Sequence, residues 1–192
     1  MNTSRSFLGA VLLAAALIGC DAAPLGDTAS ASPSDARPAD RCMNVRHAGL
    51  AQLGAPVLIP VDPYAGSGAL PTPTQLGPYD GLLSSILTDE VQMGNGAIKY
   101  RLVHYFEDGA GNAFWTDDHA VCSPVGNDPA TCLVNDRLTV VGGTGDFGNA
   151  EGFLHNRGLI TLTEPVYDPD TGITTFGTLE IDLHGRICGD GL

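Results

Sequence analysis

No stretch of this chain repeats its apolar residues with the period of an amphipathic helix. From Leu82 onward, short β-prone runs alternate with turn formers at roughly even spacing. Leu82 to Val91 is one run, ended by the turn Met93-Gly94-Asn95-Gly96. Ile98 to Phe106 alternates strictly. Ile98, Tyr100, Leu102, His104 and Phe106 share one face, and Lys99, Arg101, Val103, Tyr105 and Glu107 the other. Asp108-Gly109 with Gly111-Asn112 is a hairpin turn, and Phe114 to Cys122 returns. Arg137 to Val141 and Phe153 to Thr163 follow, the latter with a local break at Asn156 to Gly158. Ile173 to Ile187 closes the series, with Leu179, Ile181 and Leu183 on one face. Such a pattern folds as an antiparallel all-β sandwich or barrel.

Residues 42–78 read differently. Pro56, Pro60, Pro63, Pro71, Pro73 and Pro78 crowd this segment. Proline cannot donate to a ladder and restricts the residue before it. Val57 to Ile59 could begin an edge strand. The rest is expected to be a coil wrapped around the domain.

The chain begins with one basic residue, Arg5, then the apolar stretch Phe7 to Ile18 and the run Leu17-Ile18-Gly19-Cys20. These are the parts of a secretory signal, and the apolar stretch is too short to span about 30 Å of bilayer as a helix. A cysteine after Leu-Ile-Gly resembles the lipobox of bacterial lipoproteins. That resemblance implies cleavage after residue 19 and a diacylglycerol on the Cys20 thiol. It places the protein at the bacterial cell envelope, tethered to a membrane and facing the periplasm or the exterior. The stretch that follows, DAAPLGDTASASPSDARPAD, holds almost no large apolar residue. It cannot bury enough surface to offset the entropy of ordering, so residues 20–41 are read as a flexible tether. Residues 42–192 suffice for one domain and not for two.

The chain carries 22 acidic against 9 basic residues, a net charge of −13. Loss of residues 1–19 removes Arg5 and no acid. Nucleic acid needs a basic footprint, so the balance excludes it as a partner. It also excludes a basic membrane-surface patch. Cys42, Cys122, Cys132 and Cys188 remain once Cys20 is lipidated. An even count in an exported chain indicates two disulfides, for which three pairings are possible. The turn formers SPVGNDPAT between Cys122 and Cys132 favour joining those two. Cys42 then pairs with Cys188 near the other end of the domain. No Cys-x-x-Cys or His-x-x-x-His spacing indicates a metal, and the acidic turns Glu107-Asp108 and Asp168-Pro169-Asp170 lack a calcium loop.

Residues 138–152 read LTVVGGTGDFGNAEG. Gly143-x-Gly145-x-x-Gly148 spells a dinucleotide fingerprint, but that fingerprint needs a helix to follow it, and here β pattern resumes. No cofactor is expected. Gly142, Gly143 and Gly145 instead form a tight structural corner, supplying positive φ and close backbone approach. Strand-Gly-Gly-Thr-Gly-x-Phe-x-x-Ala-x-Gly, here Val140 to Gly152, resembles the signature of the allene oxide cyclase and dirigent barrel superfamily. The resemblance runs loosely from Tyr79 to Cys188 and implies an eight-stranded antiparallel barrel with a central cavity. None of the plant cyclase's catalytic positions carries over.

If the even face of Ile98 to Phe106 lines such a cavity, Tyr100, Leu102, His104 and Phe106 are its wall. His104 is then either an inward acid, base or ligand donor, or a core histidine satisfied within the protein; a strand shifted by one register would turn it outward. Trp115 is a further candidate, as core or cavity wall, and it shares its face with Asp117 and His119 while Asp118 takes the other. His47, His155 and His184 read as surface. No nucleophile elbow, metal cluster or acid pair marks an enzyme. Three functions stay open: a tethered barrel binding a small apolar ligand, an isomerase or cyclase, and a structural module with a filled barrel.

Overall fold

A computed structural model describes residues 41–192. Cys20, the signal segment and the tether up to residue 40 lie outside the described residues. Nine strands follow in order: β1 (Cys42–Ile59), β2 (Tyr64–Ala69), β3 (Thr72–Leu76), β4 (Tyr79–Gln92), β5 (Ile98–Glu107), β6 (Ala113–Val125), β7 (Asp128–Thr144), β8 (Glu151–Asp168) and β9 (Ile173–Cys188). They form one antiparallel sheet in the order β2-β1-β9-β8-β7-β6-β5-β4-β3. The two ends of that order, β2 and β3, are joined in sequence by Leu70 and Pro71 alone. The sheet therefore curls until it nearly closes into a barrel. The strand count exceeds the expected eight because one stave is broken in two at Leu70-Pro71, its first half pairing with β1 and its second with β4.

Residues 42–78 are strands, not a wrapping coil. Proline is locally a strand breaker, yet each of these sits where a ladder tolerates one. Pro56 occupies an irregularity in the β1–β2 pairing between Gly54 and Val57. Pro60 and Pro63 fall in the turn after β1, Pro71 between β2 and β3, and Pro78 in the turn before β4. Pro73 lies in the short strand that ends the sheet order. The even pattern of Val45, Ala51 and Leu53 turned inward against β9 outweighs them.

Both expected disulfides are present. Cys42–Cys188 joins register partners on β1 and β9, and Cys122–Cys132 braces β6 against β7.

The interior is layered. At one end Phe106, Phe114 and Phe147 are fully buried, with ring centroids 5.2 to 6.0 Å apart, and Tyr79 lies 4.8 Å from Phe147. Each such phenylalanine stabilises by about 1.5–3 kcal/mol through burial, with roughly 0.5–1.5 kcal/mol more per ring pair. Phe147 reaches this plug from a 3-10 turn, Gly145–Phe147, which follows the glycine corner. No helix follows that could meet a pyrophosphate, and the chain passes directly into β8.

The corner works by contact as much as by φ. Gly145 has φ +62°, and a Cβ on Gly143 would lie 2.3 Å from the Phe147 carbonyl oxygen and 2.7 Å from that of Ala113. Gly142 lies flat under the Trp115 ring, where a Cβ would sit 2.6 Å from it. Gly143→Val is therefore expected to lower the unfolding free energy by roughly 1–3 kcal/mol, because backbone on both sides must give. Urea denaturation checks this, and an unchanged midpoint would remove the corner's structural role.

Candidate functional site

The end of the barrel opposite the phenylalanine plug is hollow. A cavity of about 660 Å³ opens there. Its wall includes Ile98, Tyr100, Leu102, Val134, Ile160, Phe176 and Leu179. Its rim carries the β6–β7 hairpin, from Pro124 through Gly126 to Cys132, and Gly96 of the β4–β5 turn.

Between cavity and plug lies a polar layer contributed by five consecutive strands: Ser85 of β4, His104 of β5, Asp118 of β6, Asp136 of β7 and Asn156 of β8. Asp118 is 0% exposed, Asp136 2% and His104 6%. Register brings them together. Ser85 faces His104 across β4–β5, and Asp136 faces Asn156 across β7–β8. The β5–β6 ladder skips from the Leu102–Asp118 pair to Tyr105–Trp115. Thr116 fills the gap, its hydroxyl accepting the His104 backbone N–H at 3.0 Å and donating to Asp118 Oδ2 at 2.7 Å. The same Asp118 oxygen lies 2.7 Å from His104 Nδ1, which donates to it. Ser85 Oγ accepts the Ala69 N–H at 3.2 Å, and Asn156 Oδ1 accepts that of Asp182 at 3.1 Å.

Two buried oxygens in this layer, Asp118 Oδ1 and Asp136 Oδ1, receive no hydrogen bond. Burial drives the Asp136 pKa up to about 6, the His104 charge pulling it back and the Asp118 charge adding to the rise. Burial alone would lower the His104 pKa, but the Asp118 hydrogen bond and the charges of Asp118 and Asp136 outweigh it and raise it. The layer thus places an imidazole already paired to one carboxylate beside a second carboxylate that holds a proton near neutrality.

The inward face of Ile98 to Phe106 is the one expected, and Tyr100, Leu102 and His104 line the cavity. Phe106 does not. It lies two residues deeper on the same face, inside the plug. Trp115 does not line it either. Alternation on β6 turns Thr116, Asp118 and Ala120 inward and Trp115 outward over Gly142. Asp117 and His119 also face out, Asp117 bound to Arg101 at 3.0 Å. His155 and His184 stack on the outer surface at 5.7 Å. His47 is not a free surface group. Its Nε2 is buried without a partner, and burial lowers its pKa. Asp136, the fifth residue after Thr131, was missed because the expected strand began only at Arg137. The alternation Val134, Asp136, Leu138, Val140 carries the signal.

No protein-family model matches this chain, and neither a curated protein nor a solved structure does.

Proposed function

We propose that the chain is an envelope-tethered lipoprotein whose barrel binds one small, mainly apolar molecule, its polar group seated on His104 and Asp136 at the cavity floor. The observation that carries this is the cavity itself. About 660 Å³ with an apolar wall and a few convergent polar groups falls within the range that holds drug-sized molecules. A barrel filled throughout by side chains would have no such space. The Leu17 to Cys20 lipobox supports the tether, and the Val140 to Gly152 signature supports kinship with the allene oxide cyclase and dirigent barrels. The paired His104 and Asp118 keep an isomerase acting on the bound molecule as the second reading.

Mass spectrometry of protein purified from its own host tests both halves. Intact mass should show a diacylglyceryl group on Cys20, and native spectra should show one co-purifying molecule per chain. An apolar fluorescent probe, titrated into delipidated protein, should bind once. Leu102→Trp fills the cavity from a wall position and should weaken the probe by at least about tenfold, as one lost apolar contact surface implies. An unmodified Cys20 would end the tether. An empty native spectrum together with equal probe affinity in Leu102→Trp would end the ligand reading.

A further inference from the structure

We infer that the polar layer is a binding site for one divalent transition-metal ion, held by His104, Asp118 and Asp136. A ring nitrogen of His104 and one carboxylate oxygen from each aspartate lie within 4.8 Å of one another. That is the span a single ion covers when its bonds to nitrogen and oxygen are about 2.0–2.2 Å and small side-chain rotations draw the ligands in. The ligands come from three adjacent strands, β5, β6 and β7, so the sheet itself fixes their spacing.

Hydrogen bonding within the layer is incomplete in a way that points to a cation. Thr116 and His104 both donate to Asp118 Oδ2. Asp118 Oδ1 and Asp136 Oδ1 are left, fully enclosed, with no protein donor. Two carboxylates facing one another in an apolar barrel repel, and each unpaired buried charge is costly. A neutral donor would satisfy one oxygen. A dication satisfies both and, once His104 gives up its charge to serve as a neutral ligand, balances the two carboxylates.

The donor set selects the ion. One imidazole with two carboxylates suits Zn²⁺, Mn²⁺, Fe²⁺ or Co²⁺, whereas Mg²⁺ and Ca²⁺ prefer oxygen alone and Cu⁺ prefers sulfur. Three protein ligands leave at least one coordination position. His104 and Asp136 both border the cavity, so that position faces it. A bound molecule bearing a carboxylate, hydroxyl or carbonyl could complete the shell. The site does not depend on the proposed ligand, because metal binding is measured without one.

The test uses chelator-stripped protein titrated with Zn²⁺ in a calorimeter and with Co²⁺ in a visible spectrophotometer. One equivalent should bind, Co²⁺ should give a d–d band, and the melting temperature should rise with metal. Asp136→Asn and His104→Phe should each weaken binding by about 100-fold or more, beyond the loss typical for a residue that only orients a ligand. Asp136→Asn relieves a buried charge, so its loss of metal would not reflect unfolding. His155→Gln/His184→Gln removes the stacked surface pair and should leave affinity unchanged. Absence of stoichiometric binding overturns the inference. So does binding that survives Asp136→Asn, or that disappears in the surface double variant.

Discussion

Replacing Cys42 and Cys188 together with alanine should lower the unfolding free energy by about 5 kcal/mol. The bridge spans 146 residues of sequence, so it removes most of the loop-closure freedom of the unfolded chain. The bridge between Cys122 and Cys132 spans 10 and should contribute only about 3 kcal/mol by the same reasoning. The folded state loses little directly, since β1 and β9 stay paired from Met43 to Ala55. For a domain of this size, 5 kcal/mol corresponds to a melting temperature lower by roughly 10–20 °C. That is a large share of the 5–15 kcal/mol that holds a typical domain folded. Guanidinium denaturation of the oxidised protein and the double variant decides it. A difference under about 1 kcal/mol would mean that this bridge does not constrain the unfolded chain.

Relative to Asp136→Asn, metal-free protein should lose stability as pH rises from 4.5 to 7.5, the reverse of ordinary carboxylate behaviour. Asp136 titrates at about 6 in the fold against an ordinary value of 3.8, so the folded state holds its proton more tightly than the unfolded chain does. Its contribution is fully present below the unfolded value and is lost as pH climbs through about 6, a total of about 3 kcal/mol. His104 acts in the same direction. Its pKa is raised, so its contribution is complete below 6.5 and fades as pH rises through the folded value. The groups facing Asp136 are His104, Asp118 and Asn156, and none of them supplies a hydrogen bond to its Oδ1. Asp136→Asn mimics the protonated form. Its advantage over wild type should grow by about 2 kcal/mol between pH 4.5 and pH 7.5. Starting at 4.5 keeps clear of the exposed Asp108, Asp128 and Asp168, whose lowered pKa values matter only in more acid solution. A wild-type curve that runs parallel to that of Asp136→Asn over this range would show that Asp136 is not buried as a strained acid.

Much of the barrel is legible in the residues because its core is built on strict alternation. Ile98 to Phe106 and Leu179 to Leu183 each show the inward face directly. The turns were marked by glycine, asparagine and aspartate at fixed spacing. Residues 42–78 were not legible, because proline is a local signal and its tolerance depends on which side of a strand lacks a partner. Pro73 can be judged only once β3 is known to end the sheet order. The polar layer was half legible. His104 stands out as a polar residue on an apolar face, but its partners are set by register between strands. Asp118 was placed on the face opposite Asp117 without any means of linking it to a residue 14 positions earlier. Asp136 depends on β7 beginning at Asp128, nine residues before the apolar run that marks it.

The phenylalanine plug makes the barrel a blind tube. Whatever enters must leave by the same mouth, between the disulfide-braced hairpin and the β4–β5 turn. A guest longer than the tube is wide cannot reverse inside it. The end that enters first is therefore the end that meets His104 and Asp136, and the end that trails stays among apolar side chains near the rim. Orientation is decided at the threshold, before any polar contact forms. Phe147, buried at the closed end, would thereby set the order of approach for any guest.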